Sequence, residues 1–297
     1  MESSQNDETP LPPAAAFALD IGLSQTGDAG SSYHFQNDPS DPLQRKNWTE
    51  RKGVVDIRAT CLDVVHGVLG EQTPVFCTLL VLEFCFDPRK QGRRILSAEI
   101  ELRFSGSKAG GGSDIEVAQI SPVGRLSLVP SSQEETTTLE TEVSAGSASS
   151  LPVDVGAGWK WSRSVSRTVN DAATIVGSID MLGRTWGKKN SASWTLMENR
   201  MTKSGVPSMM RAAVRLHRQT EEPFTCEFGI RAKADWQTSL TNLLGSTPPD
   251  DPVFFDPTLP STNNLQEYDE LALGSLDLES LSDITHLTIF ENAMKRK

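Results

Sequence analysis

The stretch Pro74-Val-Phe-Cys-Thr-Leu-Leu-Val-Leu-Glu-Phe-Cys-Phe86 decides the fold. It is the most apolar run in the chain, and turn residues close both ends: Gly70 and Pro74 before, Asp87-Pro88 and Gly92 after. It is too short to cross a bilayer as a helix. β-Branched and aromatic residues mix with Leu on both parities, which is how a strand buried on two faces reads. The central strand is therefore placed at residues 75–86, and other strands must lie against it.

Its neighbours read as half-buried strands. Residues 53–65 alternate, with Val55, Ile57, Ala59 and Cys61 opposed to Asp56, Arg58 and Thr60. Residues 94–104 place Leu96, Ala98, Ile100, Leu102 and Phe104 inward and Ser97, Glu99, Glu101 and Arg103 outward. Two short strands, 115–120 and 125–129, are separated at Pro122. Further strands follow at 159–169, at 174–182 after a turn at Asn170-Asp171, and at 191–198, 209–216 and 224–234. The last two put Met210, Ala212, Val214, Leu216, Phe224, Cys226, Phe228 and Ile230 inside. The body shows no helical period. The pattern predicts an all-β fold, an antiparallel two-sheet β-sandwich, with a closed β-barrel as the alternative.

Charge divides the chain of 297 residues into three. Residues 1–44 hold seven Asp/Glu and no Lys or Arg. Residues 241–294 hold ten Asp/Glu and no Lys or Arg, before Lys295-Arg296-Lys297. The middle carries a net +3, so the overall −11 belongs to the ends. We expect a disordered acidic head at 1–44, a sandwich at 45–240 and an acidic tail at 241–297. Within the sandwich, 105–113 and the Ser/Thr/Glu-rich 130–150 read as mobile loops. In the tail, Leu278, Leu281, Ile284, Leu287 and Phe290 recur at a helical period. They predict an amphipathic helix that docks on the sandwich or on a partner.

The start, Met1-Glu-Ser-Ser-Gln-Asn-Asp-Glu, lacks the basic region of a secretory signal, and no run reaches the length of a spanning helix. Cys61, Cys77, Cys85 and Cys226 sit among apolar neighbours without metal spacing, the pattern of buried, reduced thiols. Both readings place the protein in the cytosol or nucleus, without membrane contact.

The run Gly183-Arg-Thr-Trp-Gly-Lys-Lys-Asn-Ser-Ala-Ser-Trp-Thr-Leu-Met-Glu-Asn-Arg200, then Lys203-Ser-Gly-Val-Pro207 and the strand to Arg218, resembles uncharacterised proteins of filamentous fungi. The resemblance covers residues 150–260. It implies a fungal source and carries no activity with it.

No cofactor or metal is expected. His34, His66, His217 and His286 are far apart, and phosphate-cradling glycine motifs are missing. Glu83 is the anomalous carboxylate, mid-strand in the apolar run. Burial would raise its pKa and make it a weak candidate for acid–base work. Trp159, Trp161, Arg163 and Arg167 share one parity of a strand, an arrangement suited to stacking on a planar ligand. With Arg211 and Arg215 they form the candidate binding set. The net +5 over 151–240 is small for nucleic acid, which is not an expected partner. The composition points to a non-enzymatic binding or protein-interaction module, its tail gating the sandwich or recruiting a partner. The rival is a cofactor-independent isomerase, cyclase or hydrolase acting on an apolar small molecule, with Glu83 in the pocket.

Overall fold

A strand apolar on both faces needs a layer on each side. The computed structural model supplies both. It describes residues 35–52, 55–89, 92–106, 115–142, 160–234, 250–278 and 287–288. Twelve strands follow in order: β1 Asn47–Arg51, β2 Val55–Gly70, β3 Thr73–Pro88, β4 Ile95–Gly106, β5 Ile115–Ser121, β6 Gly124–Glu142, β7 Lys160–Asp180, β8 Ser191–Met197, β9 Met209–Arg218, β10 Phe224–Ala234, β11 Val253–Phe255 and β12 Leu287–Thr288. A 3₁₀ turn at Leu273–Ser275 is the helical element among the described residues.

The strands form two antiparallel sheets. One runs β1-β2-β3-β9, with β12 and β5 sharing the outer edge of β9. The other runs β11-β10-β4-β8-β7-β6. The two sheets do not close on each other, so the architecture is a sandwich and not the alternative barrel.

The core lies between the sheets. Leu80, Leu82, Phe84 and Phe86 of β3 and Met210, Ala212, Val214 and Leu216 of β9 belong to it. Facing them are Ala98, Ile100, Leu102 and Phe104 of β4, Trp194 of β8 and Phe228 of β10. Phe84 stacks on Phe228 at 6.2 Å, and Trp48 meets Phe228 edge-on at 5.6 Å. The alternations in β2, β4, β9 and β10 thus point as the sequence predicts, with one change. Leu96 is only partly buried and Ile95 takes the inward place, at the bulge where β10 shifts register between Lys233 and Ala234.

Three differences from the sequence reading matter for function. First, no turn interrupts the chain at Asn170-Asp171, because both residues sit within β7, paired to Ser132 and Ser131. Second, the stretch read as a mobile loop from 130 is strand as far as Glu142. Its Thr residues favour extended backbone, and a paired partner strand outweighs the polar composition. Third, the ends belong to the sandwich. Phe35 donates its N–H to Asp250 Oδ1 at 2.7 Å, and β11 adds Val253–Phe255 to the edge of β10. The head's residues 1–34, the loop residues 107–114, and residues 143–159 lie outside the described residues.

Cys61, Cys77 and Cys226 are buried, while Cys85 is half-exposed. All four are free thiols. Burial pushes Cys77 up to about 11, with Arg215 and Arg218 opposing it. Burial also takes Cys85 to about 11, with Glu83 adding to the shift.

Leu80 is fully buried in the centre of β3. Leu80→Asp puts an unpaired carboxylate there, at a cost of several kcal/mol. We expect the variant to lose cooperative thermal melting, measured by circular dichroism. An unchanged melt would show that β3 is not the core strand.

Candidate functional site

Two features stand out from the sandwich: a strap of tail over one sheet face, and a ribbon projecting from the other sheet.

The strap begins with the outward face of β3. Cys77, Leu79 and Val81 point away from the main core, yet each is fully buried. With Val65 and Ala213 they form a second apolar cluster, closed by Tyr268, Leu273 and Leu278 of the tail. The edge of β2 is satisfied by the same segment. Thr262 Oγ1 accepts from Val64 N at 2.8 Å, Ser261 Oγ from His66 N at 3.0 Å and Glu270 O from Val68 N at 2.8 Å. Asp63, fully buried at a bulge of β2, accepts from Asn264 N, Leu265 N, Thr262 Oγ1 and the Tyr268 hydroxyl. Arg215 Nη1 donates to the carbonyls of Leu273, Gly274 and Leu276 at 3.1–3.2 Å. Two glycines permit the close fit. A Cβ on Gly67 would collide with the Glu270 carbonyl, and one on Gly274 with that of Leu69.

The tail therefore docks on its own body, through apolar burial and hydrogen bonds. It does not dock as the predicted helix. Leu276 is extended, Leu278 is fully buried, and Leu287–Thr288 pairs as a strand with Met210 and Met209. The exposed edge of β9 takes up their backbone groups, which overrides the helical period. Leu281, Ile284 and Phe290 lie outside the described residues.

The predicted binding set is divided between the sheets. Arg211 and Arg215 are on β9, beside the strap. Arg211 pairs with Glu83 at 3.2 Å, which makes Glu83 one half of an ion pair in mid-sheet. A shallow groove of about 190 Å³ lies on the other sheet, lined by Glu99, Glu101, Ser193, Thr195, Gly229 and Arg231, away from Glu83. Trp161, Arg163 and Arg167 are on β7, at register positions opposite Thr141, Leu139 and Glu135. Trp159 lies outside the described residues. No continuous face carries Arg163, Arg167, Arg211 and Arg215 together, because β7 and β9 belong to opposite sheets.

The ribbon is the part of β6–β7 that outruns its sheet. β8 pairs with β7 only from Thr174 to Asp180. The β6–β7 ladder continues from Ser131↔Asp171 to Glu142↔Lys160. At 3.3 Å per residue this overhang is about 40 Å long. A bulge between Leu128 and Ser131 marks where it leaves. Asn199, buried in the β8–β9 turn, anchors that point: its Nδ2 donates to Ser131 Oγ at 2.8 Å and to the Asp171 carbonyl at 3.3 Å. Along the overhang neither strand has a second neighbour among the described residues. A two-stranded ribbon is marginal alone, and both its edges are templates for further strands. The available signal in the sequence was the alternation itself. Thr136, Thr138, Ser162, Ser164, Ser166 and Thr168 all fall on one parity, against Leu139, Trp161, Val165 and Val169 on the other.

Neither a protein-family model nor a curated protein sequence matches the chain. Among solved structures it is similar to the Clostridium perfringens NetB toxin in its membrane-inserted form, at a TM-score of 0.26 and 7% identity, over 70% of this chain and 87% of that one. It is also similar to Clostridium perfringens delta-toxin, at 0.26 and 11%, over 74% and 84%. A structure described as a pore forming protein gives 0.28 and 10%, over 72% and 83%. Scores this low establish no shared fold, and function has to come from the chain's own residues.

Two outcomes follow from the strap. Gly67→Ala should lift it, at about 1–3 kcal/mol of overpacking. Hydrogen exchange across residues 261–278 should rise well before the sandwich melts, and unchanged protection there would refute the close fit. The second concerns His66, buried beneath Ser261 with Nδ1 3.0 Å from Thr78 Oγ1 and Nε2 3.2 Å from Gln44 Nε2. Burial, helped by Arg218 and opposed by Asp256, holds its pKa down to about 4. The unfolded chain takes up this proton near pH 6.5, and the folded chain resists it to about pH 4. Stability is therefore complete above pH 6.5 and falls by roughly 3 kcal/mol as pH drops to 4. Urea midpoints between pH 7.5 and 4.5 should show a loss that His66→Gln largely removes.

Proposed function

We propose that the protein is a non-enzymatic assembly module, and that ribbons from several copies pair edge to edge into a β-barrel crossing a lipid bilayer. The observation that carries this reading is the overhanging β6–β7 ladder, whose outer edges have no partner strand among the described residues. Its parity, continued through the sequence, gives the alternation a bilayer requires. On the odd positions, Leu139, Thr141, Val143, Ala145, Ser147 and Ser149 lead outward; Leu151, Val153, Val155, Ala157, Trp159 and Trp161 lead back. None is charged. The charges in this span, Glu140, Glu142, Asp154 and Lys160, all fall on even positions. Each arm has about the 9–11 residues that a tilted strand needs to span the hydrocarbon.

Charges on the odd parity begin nearer the sandwich, at Glu135, Arg163 and Arg167, and Glu135 is the register partner of Arg167. In the assembled state those positions would stand at headgroup level. Closing the ring is obligatory in lipid, because an open strand edge there has no water to bond. No helix among the described residues is long and apolar enough to cross a membrane. The expectation of a chain without membrane contact rested on the sequence having no apolar run of helix-spanning length. A β-barrel crosses with strands that need only alternate.

The test is dye release from lipid vesicles by the full chain, with oligomer size read by light scattering. The wild type should form oligomers on vesicles and release dye. Val155→Arg with Ala157→Arg should abolish release without moving the thermal melt, since each arginine costs about 2–4 kcal/mol on a lipid-facing strand near mid-bilayer. Absence of oligomers and of release on every lipid mixture would overturn the reading, and would return the ribbon to the role of docking a protein partner.

A further inference from the structure

The end of the sandwich from which the ribbon departs is built by three segments. The β8–β9 turn is shaped by Asn199: its Oδ1 accepts from Met201 N at 3.0 Å and Thr202 N at 3.3 Å, and its carbonyl accepts from Lys203 N at 2.9 Å. Arg200 N donates to Asp171 Oδ2 at 2.7 Å, which ties the turn to the first row of the ribbon. Lys203 holds a left-handed φ of 52° and Gly205 one of 80°. The turn thus presents Arg200, Thr202 and Lys203 to solvent. The β3–β4 connection joins it, with Val206 N donating to the Ile95 carbonyl at 2.9 Å. The end of β10 lies alongside, with Lys233 exposed and paired in register with Ser97 of β4.

The charges at this end are unevenly matched. Glu198 pairs with Arg94 at 3.0 Å and also accepts from Gly205 N. Asp171 accepts two backbone N–H groups, those of Ala172 and Arg200. Asp56 pairs with Arg89 and Asp87 with Arg58. These carboxylates are spent within the protein. Arg200, Lys203 and Lys233 have no carboxylate partner among the described residues. A chain with a formal charge of −11 thus turns unpaired cations outward around the base of its ribbon.

We infer that this end of the sandwich docks on a bilayer rich in anionic lipid headgroups, through Arg200, Lys203 and Lys233. The inference rests on the membrane reading above and names its surface. Cations grouped at a membrane-facing end gain from the negative potential of such a leaflet, each by its own increment, and salt screens the gain. Docking by this end would hold the base of the ribbon at the lipid surface. The rigid tie between Asn199, Ser131 and Asp171 would transmit the orientation of the docked face to the ribbon.

Vesicle flotation of the full chain tests this. Vesicles of phosphatidylcholine alone are compared with vesicles containing about one third phosphatidylserine. The wild type should bind the anionic vesicles at least about tenfold more tightly, with the advantage shrinking as salt rises. Arg200→Glu with Lys203→Glu and Lys233→Glu should remove the preference. Arg200→Lys with the two lysines intact should keep it, because charge rather than guanidinium geometry is being read. All three positions are exposed, so thermal melts should match, and a triple variant that melts normally yet keeps the full preference overturns the inference. Equal binding of the wild type to both vesicle types overturns it as well. Failure of the two proposals looks different. Anionic preference without dye release keeps the docking face and removes the barrel. Dye release that ignores both anionic lipid and the triple variant keeps the barrel and removes the docking face.

Discussion

The structure depends on β3 being buried on both faces from Cys77 to Leu82. Its even residues from Leu80 to Phe86 fill the sandwich core, and its odd residues Cys77, Leu79 and Val81 are just as apolar. A two-sheet sandwich covers one face of a strand. The second face needs another layer, worth about 1.5–3 kcal/mol for each large side chain it buries. The tail provides that layer, and its sequence is adapted to a thin fit. Gly274 and Gly67 let backbones meet, Asp63 collects four donors, and Arg215 collects three carbonyls. Of the tail's acidic residues, Asp250 joins the docking directly, pairing with Arg51 of β1 at 2.7 Å; the strap over β2 and β3 is held differently. What holds it is apolar area together with hydrogen bonds that leave few orphaned groups at the edge of β2.

That distinction explains what the sequence made legible. Alternation in β2, β4, β9 and β10 reports burial directly, since a period of two and a half-buried sheet are the same statement. The two-faced burial of β3 was readable for the same reason. What covered its second face was not, because a strap has no period. Its fixing residues, Asp63, Gly67, Tyr268 and Gly274, are spread over two hundred positions and are individually ordinary. Leu278 was singled out for an apolar stripe and is indeed buried, but in an extended segment. A helical period over few residues cannot compete with a free strand edge and a waiting apolar face.

The β6 half of the ribbon was misread for the opposite reason, while its partner at 159–169 was read as a strand. Composition spoke for a loop, as Ser, Thr and Glu are the residues of polar linkers. Yet a parity that is polar throughout, set against one where Leu139, Trp161, Val165 and Val169 are interspersed with polar and charged residues, makes a strand pair whose two faces differ. Such a pair gains little from a protein core, which needs one apolar face against another. The candidate residues on β7 were grouped with Arg211 and Arg215 by charge alone, and the sheets separate them.

The two features manage the same hazard at opposite settings. Unpaired strand edges invite other chains, and most proteins cover them. Here β11 covers the first residues of β10, β1 and the strap together cover β2, and β5 with β12 covers β9. The longest ladder left open among the described residues is the ribbon, and it is joined to the sandwich at a bulge pinned by the buried Asn199. A fold that covers β2, β9 and the start of β10 with short, fitted segments, while leaving this ladder open among the described residues, favours strand addition at the ribbon. The assembly proposed above would gain from that bias. Copies that could pair through β2 or β9 as well as through the ribbon would grow in more than one direction, and only pairing through a single kind of edge closes a ring.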